Sequence, residues 1–250
     1  MSELVADTPS SEGPVATPTL RAVPTEPPPP RSALELVPWL ARYPRRPRPG
    51  RAYRPVKRFV DLAFVGLTAP VWAPLYAASA AAVKLDSPGG PVHFSQRRTG
   101  TDGRRIRVHK LRTMVPDAEE RKAELAHLNE REWPDFKITD DPRVTRVGRV
   151  LRATSLDEIP QIRNVVKGDL TLVGPRPWSK TPDHHDRWHL ERYAVRAGLT
   201  GLWQVAARGA DSFTERIRLD VAYKQRRCLR LDLEILLRTV PAVLLRRGAV

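Results

Sequence analysis

Apolar and charged positions are unevenly spread along the chain, and the longest apolar run comes early. LAFVGLTAPVWAPLYAASAAAV, from Leu62 to Val83, is 22 residues without a charge, closed off by Asp61 and Lys84. As one straight helix it would be about 33 Å long, enough to cross a bilayer. Its many alanines also suit a buried helix of a soluble domain, so length alone leaves both readings open. Pro70 and Pro74 lie in its middle, and each removes a helical hydrogen bond and pushes on the turn before it. Arg51, Arg54, Lys57 and Arg58 precede the run, and Lys84, Arg97, Arg98, Arg104 and Arg105 follow it. A straight span would put one basic group on the non-cytoplasmic side, against the positive-inside tendency. A re-entrant helix broken at Pro70 and Pro74 keeps both groups on one side, with the carbonyls freed near Gly66 to Pro70 satisfied locally. A full span stays open as the alternative.

Beyond the run the pattern shifts to short elements. Ile106 and Val108 alternate with Arg105, Arg107 and His109, which predicts a half-buried strand after a turn at Gly100 and Gly103, with Lys110 and Arg112 at its end. PDAEERKAELAHLNERE predicts a helix with acidic first turns and a stripe of Ala118, Leu125 and Leu128. Val144, Val147, Val150 and Leu151 line one side of a short helical element, from which Arg143, Arg146, Arg149 and Arg152 project. In ATSLDEIPQIRNVV a helix can start from Ser155 or from Asp157. Asp157 as the N-cap puts Pro160 at the third helical position, where a missing N–H costs little, and is favoured. Either start leaves Ile159, Ile162 and Val166 facing the core and two carboxylates at the positive end of a helix. Gly198 and Gly201 mark a turn, with Gln204 and Arg208 as polar candidates after it, and Ser212 with Glu215 forms a capping box. LRLDLEILLRTVPAVLLRR predicts a last helix, interrupted at Pro241, that suits either an apolar interface or docking on the core.

Composition locates the charge. The formal net charge is +15, and the first 50 of 250 residues carry only +1 of it, so the folded part is the electropositive one. Such a field attracts nucleic acid, anionic lipid or phosphorylated small molecules alike. No zinc finger, basic zipper or aromatic RNA-binding signature is present, and nucleic acid is not an expected partner. The lone Cys228 excludes an internal disulfide. Twelve of the 25 prolines fall in residues 1–50, which reads as a disordered Pro/Arg-rich tail and not a secretory signal. The expected organisation is therefore a tail over 1–50, a basic lead-in with re-entrant helix over 51–84, and a catalytic region over 85–250. The fold class expected is α/β, mainly helical with short strands.

Asp157 and Glu158 are the chemical feature. Neighbours in sequence cannot flank a sugar from opposite sides, as glycosidase carboxyls about 5 Å or more apart must. They can share one small volume, as nucleophile or cation ligand beside a proton handler or second ligand. Arg176 stands between Pro175 and Pro177, a stiffened loop suited to clamping phosphate. With Arg152, Lys110 and Arg112 this points to phosphate handling beside a divalent ion, and an ordinary surface ion-pair network accounts for the same residues equally well. His185 and His189, spaced by four with Asp186 between, could share a metal, but no HExxH is present and a solvated helix start is the favoured reading.

The order of GPVHFSQRRTG, KLRTM, DPRVTRVGRVLR, SLDEIPQIRNVVKGDLTLVGPRP, GLTGLWQV and LDVAY, with Lys57, Arg58 and Asp61 ahead, resembles the bacterial sugar transferases from about Pro55 onward. These are monotopic phosphoglycosyl transferases. The resemblance implies transfer of a hexose 1-phosphate from a UDP-sugar to undecaprenyl phosphate, with release of UMP. It makes Asp157 a nucleophile that forms an aspartyl phosphosugar. It gives Glu158 the deprotonation of the acceptor or, with Asp157, the holding of Mg²⁺, and it makes Arg152 and Arg176 phosphate-binding residues. Lys110 and Arg112 match a basic motif, and Gln204 and Arg208 are donor-side candidates. It further implies a re-entrant first helix, the cytoplasmic face of the bacterial inner membrane, and a role at the start of exopolysaccharide or related glycan assembly; a homodimer is left open, because the sequence does not show the oligomeric state. Ala69 before Pro70, Leu111, Ala197 and Ala207 depart from the residues usual in the family, and none of these removes the acidic pair. Larger members carry transmembrane helices ahead of this domain, where this sequence has its Pro-rich tail.

Overall fold

A computed structural model describes residues 4–6, 32–46, 49–130, 138–179, 186–206 and 213–244. Its helices are α1 (Ala33–Leu36), α2 (Tyr53–Leu67), α3 (Ala69–Asp86), α4 (Arg146–Thr154), α5 (Ile162–Lys167), α6 (Leu202–Ala206), α7 (Phe213–Arg226) and α8 (Leu229–Leu244). Its strands are β1 (Leu4–Ala6), β2 (His93–Thr99), β3 (Arg105–Leu111), β4 (Thr171–Val173) and β5 (Gly198–Thr200). The mixture of helix with short strands agrees with the expected class. β2 and β3 form an antiparallel hairpin, β1 pairs in parallel with β2, and β4 pairs in parallel with β5.

The uncharged run is a bent pair. α2 and α3 meet at 62° around Thr68. Pro70, second in α3, has no N–H to give the preceding turn, and side-chain donors supplement the backbone bonds around the break. Thr68 Oγ1 donates to the Phe64 carbonyl at 2.7 Å and Trp72 Nε1 to that of Val65 at 3.0 Å. Pro74 lies inside α3 without ending it, so the break expected at both prolines falls at the first. Among the described residues no single helix is long and apolar enough to cross a membrane, and only this bent pair reaches that length together. Its base is held by polar contacts: Tyr53 and Lys57 donate to Asp232 at 2.9 and 3.0 Å, Thr171 bonds Asp61, and Arg58 donates to the Val166 carbonyl at 2.8 Å.

Two hydrophobic clusters organise the rest. The larger packs β4 and β5 against α7, α8 and α5 through Leu170, Leu172, Leu219, Leu231 and Ile235, and takes Val65 from α2. Val37, Leu40 and Tyr43 also belong to it, and Leu40 is completely buried. Here the structure departs from the expected tail. Ser32 caps α1 in a full capping box with Glu35, and Tyr43 bonds Glu234 of α8, so residues 32–46 are part of the fold. Proline density lowers the number of backbone donors, but three apolar side chains at 37, 40 and 43 gain enough burial to hold the segment. The smaller cluster joins Val83 of α3, Leu111 of β3 and Leu151 of α4, with Leu156 packed on it, and so fixes the chain just before Asp157.

Three expected details are corrected. PDAEERKAELAHLNERE is no continuous helix: residues 116–130 form turns with short 3-10 segments at Glu120–Lys122 and Ala126–Leu128. Of its stripe only Ala118 is buried, and a short helix without a buried face is marginal. α4 begins after Thr145, whose Oγ1 accepts from the Gly148 N–H, and it buries Leu151 but exposes Val150. Arg143 is buried in a two-armed contact with Asp141, at 2.9 and 2.7 Å, and does not project into solvent.

Candidate active site

Asp157 and Glu158 lie inside a 3-10 helix, Leu156–Gln161, that leads into α5. Ser155 takes a left-handed conformation, φ 59°, which ends α4 and turns the chain sharply. The helix starts from Ser155 and not from the favoured Asp157, which lies inside it, and the Ser155 hydroxyl makes no capping bond. The Asp157 carboxylate is instead engaged by another element. Lys110, next to last in β3, donates from Nζ to Asp157 Oδ2 at 3.0 Å and to Glu158 Oε1 at 2.8 Å. Arg176 grips Glu158 with both arms, Nη1 to Oε2 at 3.1 Å and Nη2 to Oε1. The strand end, the 3-10 helix and the GPRP loop thus converge on one acidic pair.

The electrostatics follow from that convergence. Burial alone would raise the Glu158 carboxyl, but the charges of Arg176 and Lys110 outweigh it and hold the group well below the usual carboxylate range. Glu158 in turn raises the Arg176 guanidinium. Asp157 is buried, and among the described residues only its Oδ2 is taken up, by Lys110. Arg152 reaches the same region from α4, with Nε donating to Thr113 Oγ1 at 2.9 Å. Burial lowers the Arg152 guanidinium, opposed by the nearby charge of Asp157.

The loop carrying Arg176 is fixed through its backbone. Arg192 donates to the Arg176 carbonyl at 2.7 Å, Arg98 to that of Pro177 at 3.2 Å, and the Gly198 N–H to that of Pro175 at 2.8 Å. Arg192 is itself buried against Asp220 at 2.6 Å. Gly174 and Gly198 pass so closely that a Cβ on Gly174 would lie 2.3 Å from the Arg196 carbonyl oxygen. Gly174→Ala is accordingly expected to lower stability by about 2 kcal/mol or more, since backbone and not a flexible side chain must yield. A denaturant titration of the purified protein checks it.

Other expected site residues lie elsewhere. Arg112, just past β3, donates from Nε to the Pro91 carbonyl at 2.6 Å and from Nη2 to that of Ser87 at 2.6 Å. Those bonds fasten the exit of α3, and no described contact joins Arg112 to the acidic pair. Gln204 is buried at α6, with Nε2 donating to the Leu199 carbonyl at 3.4 Å, and it too makes no described contact with the pair. Arg208, His184, His185 and Ser212 lie outside the described residues. His189 is buried and accepts from the Asp186 N–H, a helix-start contact but not the solvated one expected. Sequence reasoning missed Arg98 and Arg192, which hold the loop. The alternation of β2 and β3 about their turn carried the signal for Arg98.

The donor set for a divalent ion fits in kind. Among the described residues no group of three or more His, Cys, Asp and Glu side chains could hold a metal. Mg²⁺ needs only one or two carboxylates when phosphate oxygens and waters complete its shell. Asp157 and Glu158 provide two hard oxygen donors of that type, with those of Glu158 shared with Arg176 and Lys110.

Comparison with known proteins meets this geometry from the other direction. The sequence pattern of the family described as Bacterial sugar transferase matches residues 52–246. The chain belongs to the bacterial sugar transferase family. A Caulobacter vibrioides protein named UDP-glucose:undecaprenyl-phosphate glucose-1-phosphate transferase is 42% identical over 199 residues, covering 75% of this chain and 69% of that protein. The exopolysaccharide production protein ExoY of Rhizobium meliloti is 37% identical over 207 residues, 79% of this chain and 91% of ExoY. The galactosyl transferase CpsE of Streptococcus agalactiae is 42% identical over 165 residues, 64% of this chain and only 36% of CpsE. As a sugar transferase the chain is an enzyme, and the acidic pair held by Lys110 and Arg176 is its candidate centre.

Proposed function

We propose that this sugar transferase moves a hexose 1-phosphate from a UDP-sugar to undecaprenyl phosphate through a covalent intermediate on Asp157. The observation that carries the reading is the pair of adjacent carboxylates, one gripped by Arg176 and both bridged by Lys110. The printed names of the relatives support donor and acceptor: glucose 1-phosphate and undecaprenyl phosphate for the Caulobacter protein, exopolysaccharide production for ExoY. Asp157 attacks the phosphorus bearing the sugar, a new acyl–phosphate bond forms, the bond to the bridging oxygen breaks, and UMP departs with that electron pair. An oxygen of undecaprenyl phosphate then attacks the same phosphorus and frees the Asp157 carboxylate.

The two roles open to Glu158 are not equally supported. A carboxylate held well below its usual range is a weak base. A phosphate monoester has a second pKa of about 6 and is mostly a dianion at neutral pH, so the acceptor needs little help losing a proton. Glu158 therefore serves to orient Lys110 and Arg176 and, with Asp157, to hold Mg²⁺. The ion supplies charge neutralisation for the transferring phosphate when bound. In this reading Lys110 and Arg152 neutralise the charge that builds up on that phosphate.

Exposed apolar side chains support a place at the membrane. Phe59, Leu67, Val71 and Leu85 stand out from α2 and α3, and Leu67 is 82% exposed. α8 exposes Leu229, Leu233, Leu237 and Val240, a helical stripe. Together with the bent pair and its basic flanks these fit a re-entrant insertion from the cytoplasmic face of the bacterial inner membrane. The deciding assay incubates detergent-purified full-length protein with undecaprenyl phosphate, Mg²⁺ and a panel of UDP-sugars. UMP release with one sugar, dependent on the lipid for multiple turnovers, is the expected result, and no release with any of them sinks the proposal.

A further inference from the structure

The hairpin of β2 and β3 brings a second strand residue to the active site. Arg98 pairs with Ile106 and Phe94 pairs with Lys110, so alternation puts Arg98, Gln96 and Lys110 on one face of the hairpin. Arg98 donates from Nε and Nη2 to Gln96 Oε1 at 3.0 and 2.8 Å, and from Nη1 to the Pro177 carbonyl at 3.2 Å. Its guanidinium thus lies against the residue that follows Arg176. Burial, and next the charge of Arg176, push the Arg98 guanidinium down to about 10.

None of the acceptors of Arg98 among the described residues is a carboxylate. Arg176, beside it, spends both arms on Glu158. Among the described residues Lys110 and Arg176 bond the acidic pair directly, whereas Arg98 makes no carboxylate hydrogen bond and feels Glu158 only at a distance, so positive charge gathers on the Arg98 side of the pair. A desolvated cation beside a like charge is costly unless an anion arrives. In a nucleotide diphosphate sugar each bridging phosphate carries a negative charge, which matches the excess.

We propose that Arg98 receives the diphosphate of the nucleotide-sugar donor, a role that rests on the sugar 1-phosphate transfer argued above. Gln96 aims the guanidinium, and the Pro177 contact couples it to the loop of Arg176. Lipid phosphate lacks the second phosphate and does not depend on Arg98.

The test measures binding of UDP to the detergent-purified full-length protein, together with the separate KM values for UDP-sugar and undecaprenyl phosphate. Arg98→Ala is expected to weaken UDP and raise the donor KM by about tenfold or more, as loss of a charged hydrogen-bond donor does, with the acceptor KM within about twofold. Arg98→Lys keeps the charge and is expected to lose less. Unchanged UDP affinity in folded Arg98→Ala overturns the proposal. So does an equal rise in both KM values with a lowered melting temperature, which makes Arg98 a strut for the loop. If Arg98→Ala does not fold, Arg98→Lys decides: a donor KM raised by about threefold or more with the acceptor KM unchanged supports the role, and no change overturns it. Wild-type protein that binds no UDP removes the donor reading itself, which distinguishes that failure from a wild type that binds UDP and an Arg98→Ala variant that binds it equally.

Discussion

Asp157→Asn is expected to reduce UMP release by at least about a thousandfold while leaving the protein folded. The carboxamide keeps an oxygen toward Lys110, and Lys110 keeps its bond to Glu158, so the local network loses one charge and little volume. What disappears is the oxygen nucleophile. The same variant separates covalent from direct transfer. With a UDP-sugar labelled in the hexose and no lipid present, the wild type should retain label through denaturation, and Asp157→Asn should retain none. Label on the variant, or a rate within tenfold of the wild type, would refute a covalent step on Asp157.

A second large effect is expected at Arg176, this time on stability as well as rate. Glu158 has a folded pKa depressed below its ordinary 4.5. A depressed carboxylate contributes stability that is present above the unfolded value and is lost as pH falls through the folded one. Arg176→Gln leaves burial, the largest influence and a raising one, opposed mainly by Lys110. The Glu158 pKa must then rise, and the buried charge becomes a cost at neutral pH. Breaking such a pair from one side is expected to cost about 3 kcal/mol near neutrality. The gap between variant and wild type should narrow as pH falls, first through the raised Glu158 pKa of the variant and then through the depressed one of the wild type, well below 4.5. Denaturant midpoints taken across that range check the sign: a gap independent of pH would mean that Arg176 contributes packing alone.

The sequence made some of these features readable and hid others for physical reasons. The bend between α2 and α3 follows from a local rule, that a proline lacks an N–H, and it was visible at Pro70. Lys110 at a strand end and Arg176 in a stiff loop were likewise readable. How Asp157 would be used was not. A capping rule compares a side chain with its own backbone, and it has no knowledge of a lysine 47 residues earlier that competes for the carboxylate. Arg98 needed the register of the hairpin, which alternation alone leaves undetermined. Arg112 shares a motif with Lys110, yet it sits beyond the strand end and turns to the Ser87 and Pro91 carbonyls. Residues 32–46 were misread because proline content counts lost donors and overlooks side chains spaced to reach a core.

That last segment separates two boundaries usually assumed to coincide. The shared family pattern starts at residue 52, whereas the hydrophobic cluster beneath α8 is closed by Val37, Leu40 and Tyr43. What is common by descent and what is needed to fill the interior therefore have different edges.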